Sequence, residues 1–414
     1  MPTLDRDATV AVLGAGPAGC ALATWLARAG RRVVLFDAGR RPPLVIGESL
    51  VPAIVPFLRD LGVEDEVRGY STFKPGATFV LRDGQMSFRF DEVRKATTTY
   101  SYNVPRDRLD RSLLEAARRA GAHVVEHTAR FARDGARIAL AEETIDAARP
   151  FLSGPPDLVV DATGRARAFA RAFDLPTIEG GRKDTALFAH CEGVPLVVEG
   201  NVHTDQLERG WSWRIPLPGR VSVGLVLDGE FIRGFGDTIE EQYDRYLAWD
   251  PAIKAWGGEP KRISPVLKYT NYQLTATQAF GENWAIVGDA FGFVDPVFSS
   301  GLLIALDSAH ALARAIAAGT DAAFERYQAH TLRHLRNWQQ VVGHFYDGRL
   351  FTLFRVGDRM RQMWLGRLMD FHFAKHLPRV FTGEATTKRY SVGLLEFMCR
   401  YGLMDDDPAD LAVR

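Results

Sequence analysis

The chain has 414 residues, is 46% apolar and 25% charged, and carries 51 basic against 51 acidic residues, so its net charge is zero. This composition is ordinary for a globular protein with a large core, and the balanced charge excludes a general affinity for nucleic acid or anionic membranes. Three cysteines without metal-ligand spacing favour a reducing compartment over a disulfide framework. We find no signal-peptide pattern and no run of about 18 apolar residues, and we expect a cytoplasmic enzyme without a metal site or a membrane span.

The first elements predict a βαβ unit. Residues 8–13 form an apolar strand, a helix runs from a glycine-rich turn to about Ala29, and residues 32–37 form a second apolar strand. The turn reads Gly14-Ala15-Gly16-Pro17-Ala18-Gly19, a GxGxxG sequence between strand and helix. This order of elements is typical of a dinucleotide-binding fold.

The glycines of this turn have separate roles. Gly14 permits the tight turn, Gly16 lets the backbone approach a pyrophosphate, and Gly19 lets helix and strand pack closely. Asp37 ends the second strand, eighteen residues past Gly19, where a carboxylate can bind ribose hydroxyls. A structural glycine turn is the alternative, but it leaves the position of the acid unexplained. We therefore predict a dinucleotide site that also includes Ala18.

The rest of the chain alternates between sheet and α/β patterns. Residues 76–91 predict a β-hairpin with its turn at Asp83-Gly84. Further predicted elements are a helix at 106–120, strands at 122–127 and 157–161, strands over most of 185–280 with a helix at 238–249, a strand at 284–288, a helix from Ser299 to Ala318, and helices from 322 onward. The α/β segments at three separate places indicate a discontinuous nucleotide domain with a substrate sheet threaded through it.

Gly288-Asp289-Ala290, at the end of a strand and before the long helix, resembles the second flavin motif of the hydroxybenzoate-hydroxylase-type flavoproteins. The resemblance implies FAD as the cofactor, with Asp289 at the ribityl chain and Arg106 near the cofactor. It also implies that the positive end of the helix favours a reduced flavin. The alternative for Arg106 is a solvated residue at a helix start.

The turn Gly47-Glu48-Ser49 also recurs in this family. The resemblance implies that Glu48 and Ser49 belong to a mobile strap over the flavin. The alternative is an ordinary helix start with Ser49 as its cap.

The same resemblance implies an α/β fold with a doubly wound (GR2-type) FAD-binding domain, an inserted antiparallel substrate sheet and a C-terminal helical region. We predict the boundaries as 1–75, 106–180 and 281–330 for the FAD-binding domain, 76–105 and 181–280 for the sheet, and 331–414 for the helical region.

Trp211-Ser212-Trp213-Arg214-Ile215-Pro216 matches the WxWxIP pattern of the flavin-dependent halogenases. Because alternate strand residues share a face, the two indoles form a bulky apolar wall. In that family the wall is thought to keep the organic substrate away from the flavin. A pair of core aromatic residues is the alternative.

Phe73-Lys74-Pro75-Gly76-Ala77 resembles the segment that carries the essential lysine of the halogenases. The resemblance implies that Lys74 holds hypohalous acid, or forms a haloamine, near the substrate carbon. Burial would lower its pKa toward the neutral amine. The alternative is an exposed lysine before a Pro-Gly turn.

The start of the long helix matches a further halogenase pattern at Phe293, Pro296, Ser299 and Gly301. This implies that the backbone amides of Ser300 and Gly301 bind halide; capping by Ser299 is an alternative that does not exclude it. Phe298 stands where the tryptophan halogenases carry a glutamate. That departure favours the branch that acts on phenols or pyrroles, free or tethered to an acyl carrier protein.

The resemblance thus implies FADH2- and O2-dependent halogenation of an electron-rich aromatic, with chloride or bromide as co-substrate. Because the sequence has no second GxGxxG for NADPH, we expect a separate flavin reductase. The alternatives are a flavin-dependent aromatic hydroxylase, a prenyl-chain reductase and, from another class, an inactive flavoprotein scaffold. His190 and His203 are candidates for a general base by residue type alone.

Overall fold

The computed structural model describes residues 4–5, 7–39, 44–82, 84–270, 273–361, 378–403 and 406–413. The predicted turn residue Asp83 lies outside these ranges, and so does the stretch 362–377 of the predicted helical region.

The strands within the described ranges are β1 (Thr9–Leu13), β2 (Arg32–Asp37), β3 (Thr72–Lys74), β4 (Gly76–Leu81), β5 (Gly84–Arg89), β6 (Ser101–Asn103), β7 (His123–Glu126), β8 (Phe131–Asp134), β9 (Arg137–Leu140), β10 (Leu158–Asp161), β11 (Thr177–Glu179), β12 (Asp184–Glu192), β13 (Val202–Gln206), β14 (Trp211–Leu217), β15 (Arg220–Asp228), β16 (Lys261–Arg262), β17 (Leu267–Thr270), β18 (Leu274–Ala276) and β19 (Trp284–Ile286). The α-helices there are α1 (Pro17–Arg28), α2 (Val55–Leu61), α3 (Glu64–Tyr70), α4 (Arg106–Arg119), α5 (Glu142–Ala147), α6 (Ala168–Ala172), α7 (Gly229–Arg233), α8 (Ile239–Trp249), α9 (Pro251–Lys254), α10 (Gly301–Ala318), α11 (Asp321–Tyr346), α12 (Arg349–Arg361), α13 (Arg379–Thr382) and α14 (Arg389–Tyr401).

A parallel sheet of five strands forms the nucleotide-binding part, in the order β19-β10-β1-β2-β7. The central strand β1 pairs with β10 on one side and β2 on the other. Its residues 10–13 are fully buried, as expected for a parallel strand covered on both faces, and α1 packs against α4 and α10. The α/β fold predicted from the apolar strands and the glycine turn is confirmed.

A larger mixed sheet lies beside it, in the order β16-β12-β15-β14-β13-β4-β5, with β17 also paired to β12. Neighbours are antiparallel except for β13 and β4, which run parallel. One face joins the main core through Trp211 and Trp213. The other face packs Leu187 and Leu225 against Tyr243 of α8. The predicted inserted sheet is therefore present, although the predicted domain boundaries stay a prediction.

The helix starts show where the sequence pattern was insufficient. Helix α8 was predicted, but the short helices α7 and α9 were missed; Asp228 and Asp250 cap them by accepting two backbone N–H groups each. The prediction that the long helix starts at Ser299 is wrong by two residues. Ser299 has a left-handed backbone (φ 56°), and α10 starts at Gly301 after Ser300.

Within the described ranges, one helix, α10, is long and apolar enough to span a bilayer. It lies in the core, with 61% of its residues buried, and it packs against α1 and α11. Its apolar character is therefore accounted for by internal packing.

Candidate active site

The turn between β1 and α1 opens onto a large cleft. Gly14 has φ +116°, and a Cβ there would lie 2.4 Å from the carbonyl oxygen of Ala162. A Cβ on Gly19 would lie 2.0 Å from the Gly14 oxygen, so this glycine permits close packing of helix and strand. In contrast, a Cβ on Gly16 would meet no atom within 4 Å. Gly16 faces the cleft, where the start of α1 offers backbone N–H groups to a phosphate.

The cleft extends from this turn in two directions. Asp37 lines one arm, and its carboxylate accepts a hydrogen bond from the N–H of Gly39 at 3.1 Å. Asp289 lines the other arm. The two arms share Gly16 and Glu48, so they adjoin. An elongated cleft with an open glycine at its centre and an acid in each arm fits an extended dinucleotide such as FAD.

Asp289 lies where the strand β19 meets α1. Gly288, with φ +64°, comes so close to that helix that a Cβ would lie 2.9 Å from the Cβ of Ala18. Burial raises the pKa of Asp289 to about 6, against the opposing charges of Arg106 and Arg165. A carboxyl group in this setting can exchange hydrogen bonds with hydroxyl groups such as those of a ribityl chain.

Residues 44–51, here called the strap, contribute to both arms of the cleft. Arg106 donates to the carbonyl oxygen of Ile46 and pairs with Asp110 at 3.1 Å. Only 8% of Arg106 is exposed, so the alternative of a solvated residue at a helix start is wrong. Arg106 instead tethers the strap and lines the cleft.

Lys74, at the end of β3, is held beneath the strap. Its Nζ donates to the hydroxyl of Ser49 at 2.8 Å and to the carbonyl of Leu50 at 2.7 Å, and lies 5.6 Å from the ring centre of Phe90. Only 2% of Lys74 is exposed, so the alternative of an exposed lysine is wrong. Ser49 is no helix cap either, because the next helical turn is preceded by Val51 and lacks a side-chain cap.

The free energy of unfolding should depend on pH because the amine of Lys74 is buried. Burial lowers the pKa of Lys74 from 10.5 to about 7, so between these values the unfolded chain holds a proton that the folded chain has lost. Raising the pH through this window should therefore stabilise the parent, by up to about 1.4 kcal/mol per pH unit. Lys74→Met lacks this contribution, so the parent should gain stability relative to the variant between pH 7 and 9 in urea unfolding. A constant difference would show that the amine titrates alike in both states.

Trp211 and Trp213 lie side by side on β14, with ring centres 5.8 Å apart. Trp211 donates to the hydroxyl of Tyr346 at 2.9 Å, and Trp213 donates to Ser222 at 3.3 Å. Gly224 makes room for the second indole, since a Cβ there would lie 2.1 Å from it. Both indoles are packed into the core and also line the cavity of the Asp289 arm, so the core pair is part of the cavity wall, and its effect on a substrate stays a prediction.

The start of α10 faces the same cavity through Ser299 and Gly301. Ser300 precedes the helix without a side-chain cap, and capping by Ser299 is ruled out by its left-handed backbone. The Ser300 hydroxyl is buried and, within the described ranges, has no hydrogen-bond partner. Free N–H groups at a helix start and an unpartnered buried hydroxyl suit a small anion.

Comparison with known proteins decides the family. A family model described as tryptophan halogenase matches residues 81–350, and one described as an FAD binding domain matches residues 7–139. The chain is 32% identical over 341 residues to the flavin-dependent halogenase armH3 of Armillaria mellea, which covers 75% of this chain and 67% of that protein. The chain belongs to the family of flavin-dependent halogenases.

Two further relatives match this halogenase over most of its length. It is 26% identical to a 1H-pyrrole-2-carbonyl-(peptidyl-carrier protein) chlorinase of Pseudomonas fluorescens, over 86% of this chain and 88% of that one. The structure of the myxobacterial chondrochloren halogenase CndH superposes with a TM-score of 0.73 at 25% identity, covering 99% and 100% of the two chains. Both the FAD-binding fold and the expected halogenase family are confirmed.

The two histidines named as candidate bases have different roles in the halogenase. The ring Nε2 of His203 accepts from the N–H groups of Val197 and Val198 at 3.1 and 3.2 Å, and Nδ1 contacts the carbonyl of Asn201. Burial lowers the pKa of His203 to about 4, so it is a neutral structural residue. His190 contacts Glu48 of the strap at 2.9 Å and so belongs to the wall of the cleft.

Phe298, which replaces the glutamate of the tryptophan halogenases, is 5% exposed in an aromatic cluster. Its ring centre lies 5.8 to 6.3 Å from those of Phe79, Trp338, Phe345 and Phe381. The motif departure was visible in the sequence, but the cluster was not, because its members come from distant segments. The cluster makes this part of the halogenase apolar.

Within the part of the chain that the structure describes, Asp307, His330 and His334 form one group of possible metal ligands, with ligand atoms within 4.8 Å of one another. Trp338 Nε1–H donates to Nε2 of His334 at 3.1 Å, which leaves the ring proton on Nδ1, where it is donated to Asp307 at 2.9 Å. Hydrogen bonds therefore explain the position of His334. The absence of a metal site stays a prediction.

Proposed function

We propose that this halogenase transfers a halogen to a phenol or a pyrrole, with Lys74 delivering the electrophile. One observation carries the proposal: the buried amine of Lys74 bonds to Ser49, and Ser49 lines the cavity that also contains Trp213 and the start of α10. Ser49 therefore contacts the amine and also lines the Asp289 arm of the cleft.

The cleft residues fit FAD in two parts. Gly16 and Asp37 would hold the diphosphate and a ribose, while Arg106 and Asp289 would hold the flavin end. Reduced FAD, with oxygen, would supply the oxidising equivalents that convert halide to hypohalous acid. The residues of the chain position this chemistry and exclude water from it.

Halide would bind at the start of α10. The backbone N–H groups of Ser300 and Gly301 lie at the positive end of an 18-residue helix, which favours an anion. The hydroxyl of Ser300, which has no hydrogen-bond partner among the described residues, would add a donor there. This position, in the wall of the flavin arm, puts the halide beside its oxidant.

The indole wall would separate the two substrates. Trp211 and Trp213 are held by hydrogen bonds on their ring nitrogens, so neither can rotate away without leaving a buried donor unpaired. The wall would therefore keep a planar aromatic substrate from the flavin arm. This separation favours halogenation over direct oxygen transfer.

The hydrogen bonds of Lys74 suit it for the transfer. As a neutral amine it has two N–H donors, which Ser49 and Leu50 occupy, and its lone pair is left to accept a halogen or bind hypohalous acid. As an ammonium it has a third N–H that can polarise the acid. A pKa of about 7 keeps both forms populated near neutral pH.

The choice of phenol or pyrrole rests on the apolar surroundings of Phe298. A carboxylate there would bind a cationic substrate group, whereas an aromatic cluster favours a neutral ring. The relative from Pseudomonas fluorescens is named for a carrier-bound pyrrole, which supports a substrate tethered to an acyl carrier protein as one form. We also propose a separate flavin reductase and a cytoplasmic location.

The experiment supplies FAD, a flavin reductase with its nicotinamide donor, oxygen, and chloride or bromide to a panel of phenols and pyrroles, free and carrier-bound. The expected product gains one halogen, and omitting halide removes the product. A hydroxylated product that persists without halide would contradict the proposal and favour a hydroxylase. Reduction of a prenyl chain without halogenation would favour the reductase alternative.

A further inference from the structure

A chain of three polar residues ties the strap to the substrate sheet. Nε2 of His190, on β12, lies 2.9 Å from Oε1 of Glu48. Nε of Arg220, at the start of β15, lies 3.1 Å from Nδ1 of the same imidazole. The side chains of His190 and Glu48 are only 8% and 5% exposed, so little solvent competes for these bonds.

The direction of the hydrogen bonds follows from the donors available. A guanidinium nitrogen can only donate, so Nδ1 of His190 must accept from Arg220. The ring proton is then on Nε2, and it is donated to the carboxylate of Glu48. His190 thus works as a neutral relay between a cation and an anion that do not touch each other.

The carboxylate of Glu48, at the end of this hydrogen-bond chain, is buried close to the proposed position of the FAD diphosphate. Glu48 lines both arms of the cleft, near the turn at Gly16 where the FAD diphosphate would lie. A free carboxylate there would repel the diphosphate, and an unpaired one would be costly to bury. His190 and Arg220 line the same arm and satisfy this carboxylate from the side of the sheet.

The next residues of the strap are those that hold the amine. Ser49 follows Glu48 directly, and Ser49 and Leu50 accept the two hydrogen bonds of Lys74. The backbone of Glu48 and Leu50 is itself hydrogen-bonded to residues 102–104, so the contact with His190 fixes the side chain of Glu48 and not the backbone that holds the amine. Arg106 secures the other end of this stretch through the carbonyl of Ile46.

We propose that His190 and Arg220 are positioning residues that hold the carboxylate of Glu48 and thereby set the shape of the FAD cleft. This inference rests on the proposed occupancy of the cleft by FAD. It requires neither halogenation nor a particular substrate, and it gives His190 a role other than the general base considered from its residue type.

Paired variants of His190 separate the two hydrogen bonds. Glutamine places its amide near the position of Nε2 and can still donate to Glu48, whereas asparagine reaches only the position of Nδ1 and cannot. We expect His190→Asn and His190→Leu to weaken FAD binding about tenfold, the loss of one hydrogen bond to a charged group, while His190→Gln retains most of the affinity. Flavin fluorescence in the absence of halide and substrate measures this.

Arg220→Gln should give an intermediate loss, and Arg245→Gln serves as its control. Arg245 lies on α8 and pairs with Glu241 at 2.9 Å, and its replacement should leave the FAD affinity unchanged. Urea unfolding of the apoproteins checks that each variant is folded.

Parental FAD affinity in folded His190→Asn and His190→Leu would overturn the inference. Equal damage in the glutamine and asparagine variants would overturn the relay from His190 to Glu48. If the parent binds FAD but halogenates no substrate, the proposed function fails. The FAD affinities of the variants then still test the hydrogen bonds from Arg220 through His190 to Glu48. If the parent does not bind FAD, both fail together.

Discussion

Replacing Lys74 with alanine should lower the rate of halogenated product formation by about 10²- to 10⁴-fold, the usual effect of losing a positioned group that binds or transfers the reacting species. Affinity for FAD should stay close to the parental value, because Lys74 contacts the cleft through Ser49. Oxidation of reduced FAD should also continue, so that the oxidant is lost as free peroxide or hypohalous acid. Product analysis by mass spectrometry, with oxygen uptake in the same reactions, measures this separation.

Two further variants guard against trivial explanations. Lys74→Met keeps the apolar length of the side chain and should lose activity to the same degree, which distinguishes loss of the amine from loss of packing. Lys268→Ala removes an exposed lysine on β17 and should have parental activity. Halogenation by either Lys74 variant at the parental rate would remove this residue from the reaction.

The local sequence pattern was sufficient to predict the strands and the glycine turn of the nucleotide-binding part. Strands β1 and β2 are mainly apolar, and Gly14 and Gly19 between them are required by close backbone approaches that a side chain would block. Such constraints act within a few residues and so are visible in the sequence. The missed helices α7 and α9 are short and lie in a strand-rich region, where a capping aspartate marks each start and Pro251 also marks the second.

The residues of the candidate site could be predicted where they belong to a recognisable sequence motif. Lys74, Trp211 and Asp289 each stand in a recognisable segment, and the structure places them around one cleft or directly beneath it. The relay from Arg220 through His190 to Glu48 joins residues 30 and 142 positions apart, and no local pattern records such contacts. The left-handed Ser299 was missed because its residue type also suits a helix cap.

Valine in place of Gly16 should weaken FAD binding strongly without harming the apoprotein. The backbone at Gly16 is extended (φ −75°, ψ 179°), which any residue adopts, and a Cβ would meet no atom of the chain within 4 Å. The added side chain would instead project where a diphosphate contacts the N–H groups of α1. We expect about a 10²-fold loss of FAD affinity, equivalent to about 2.8 kcal/mol, and an apoprotein stability within about 0.5 kcal/mol of the parent.

Gly19→Ala is the matched opposite, because its Cβ would lie 2.0 Å from the carbonyl oxygen of Gly14. It should destabilise the apoprotein by about 1 to 3 kcal/mol through overpacking, whether or not FAD is present. Urea unfolding and flavin fluorescence together distinguish a glycine needed for the ligand from one needed for the fold. Parental FAD affinity in Gly16→Val would place the diphosphate elsewhere, and the cleft assigned to the cofactor would lose its centre.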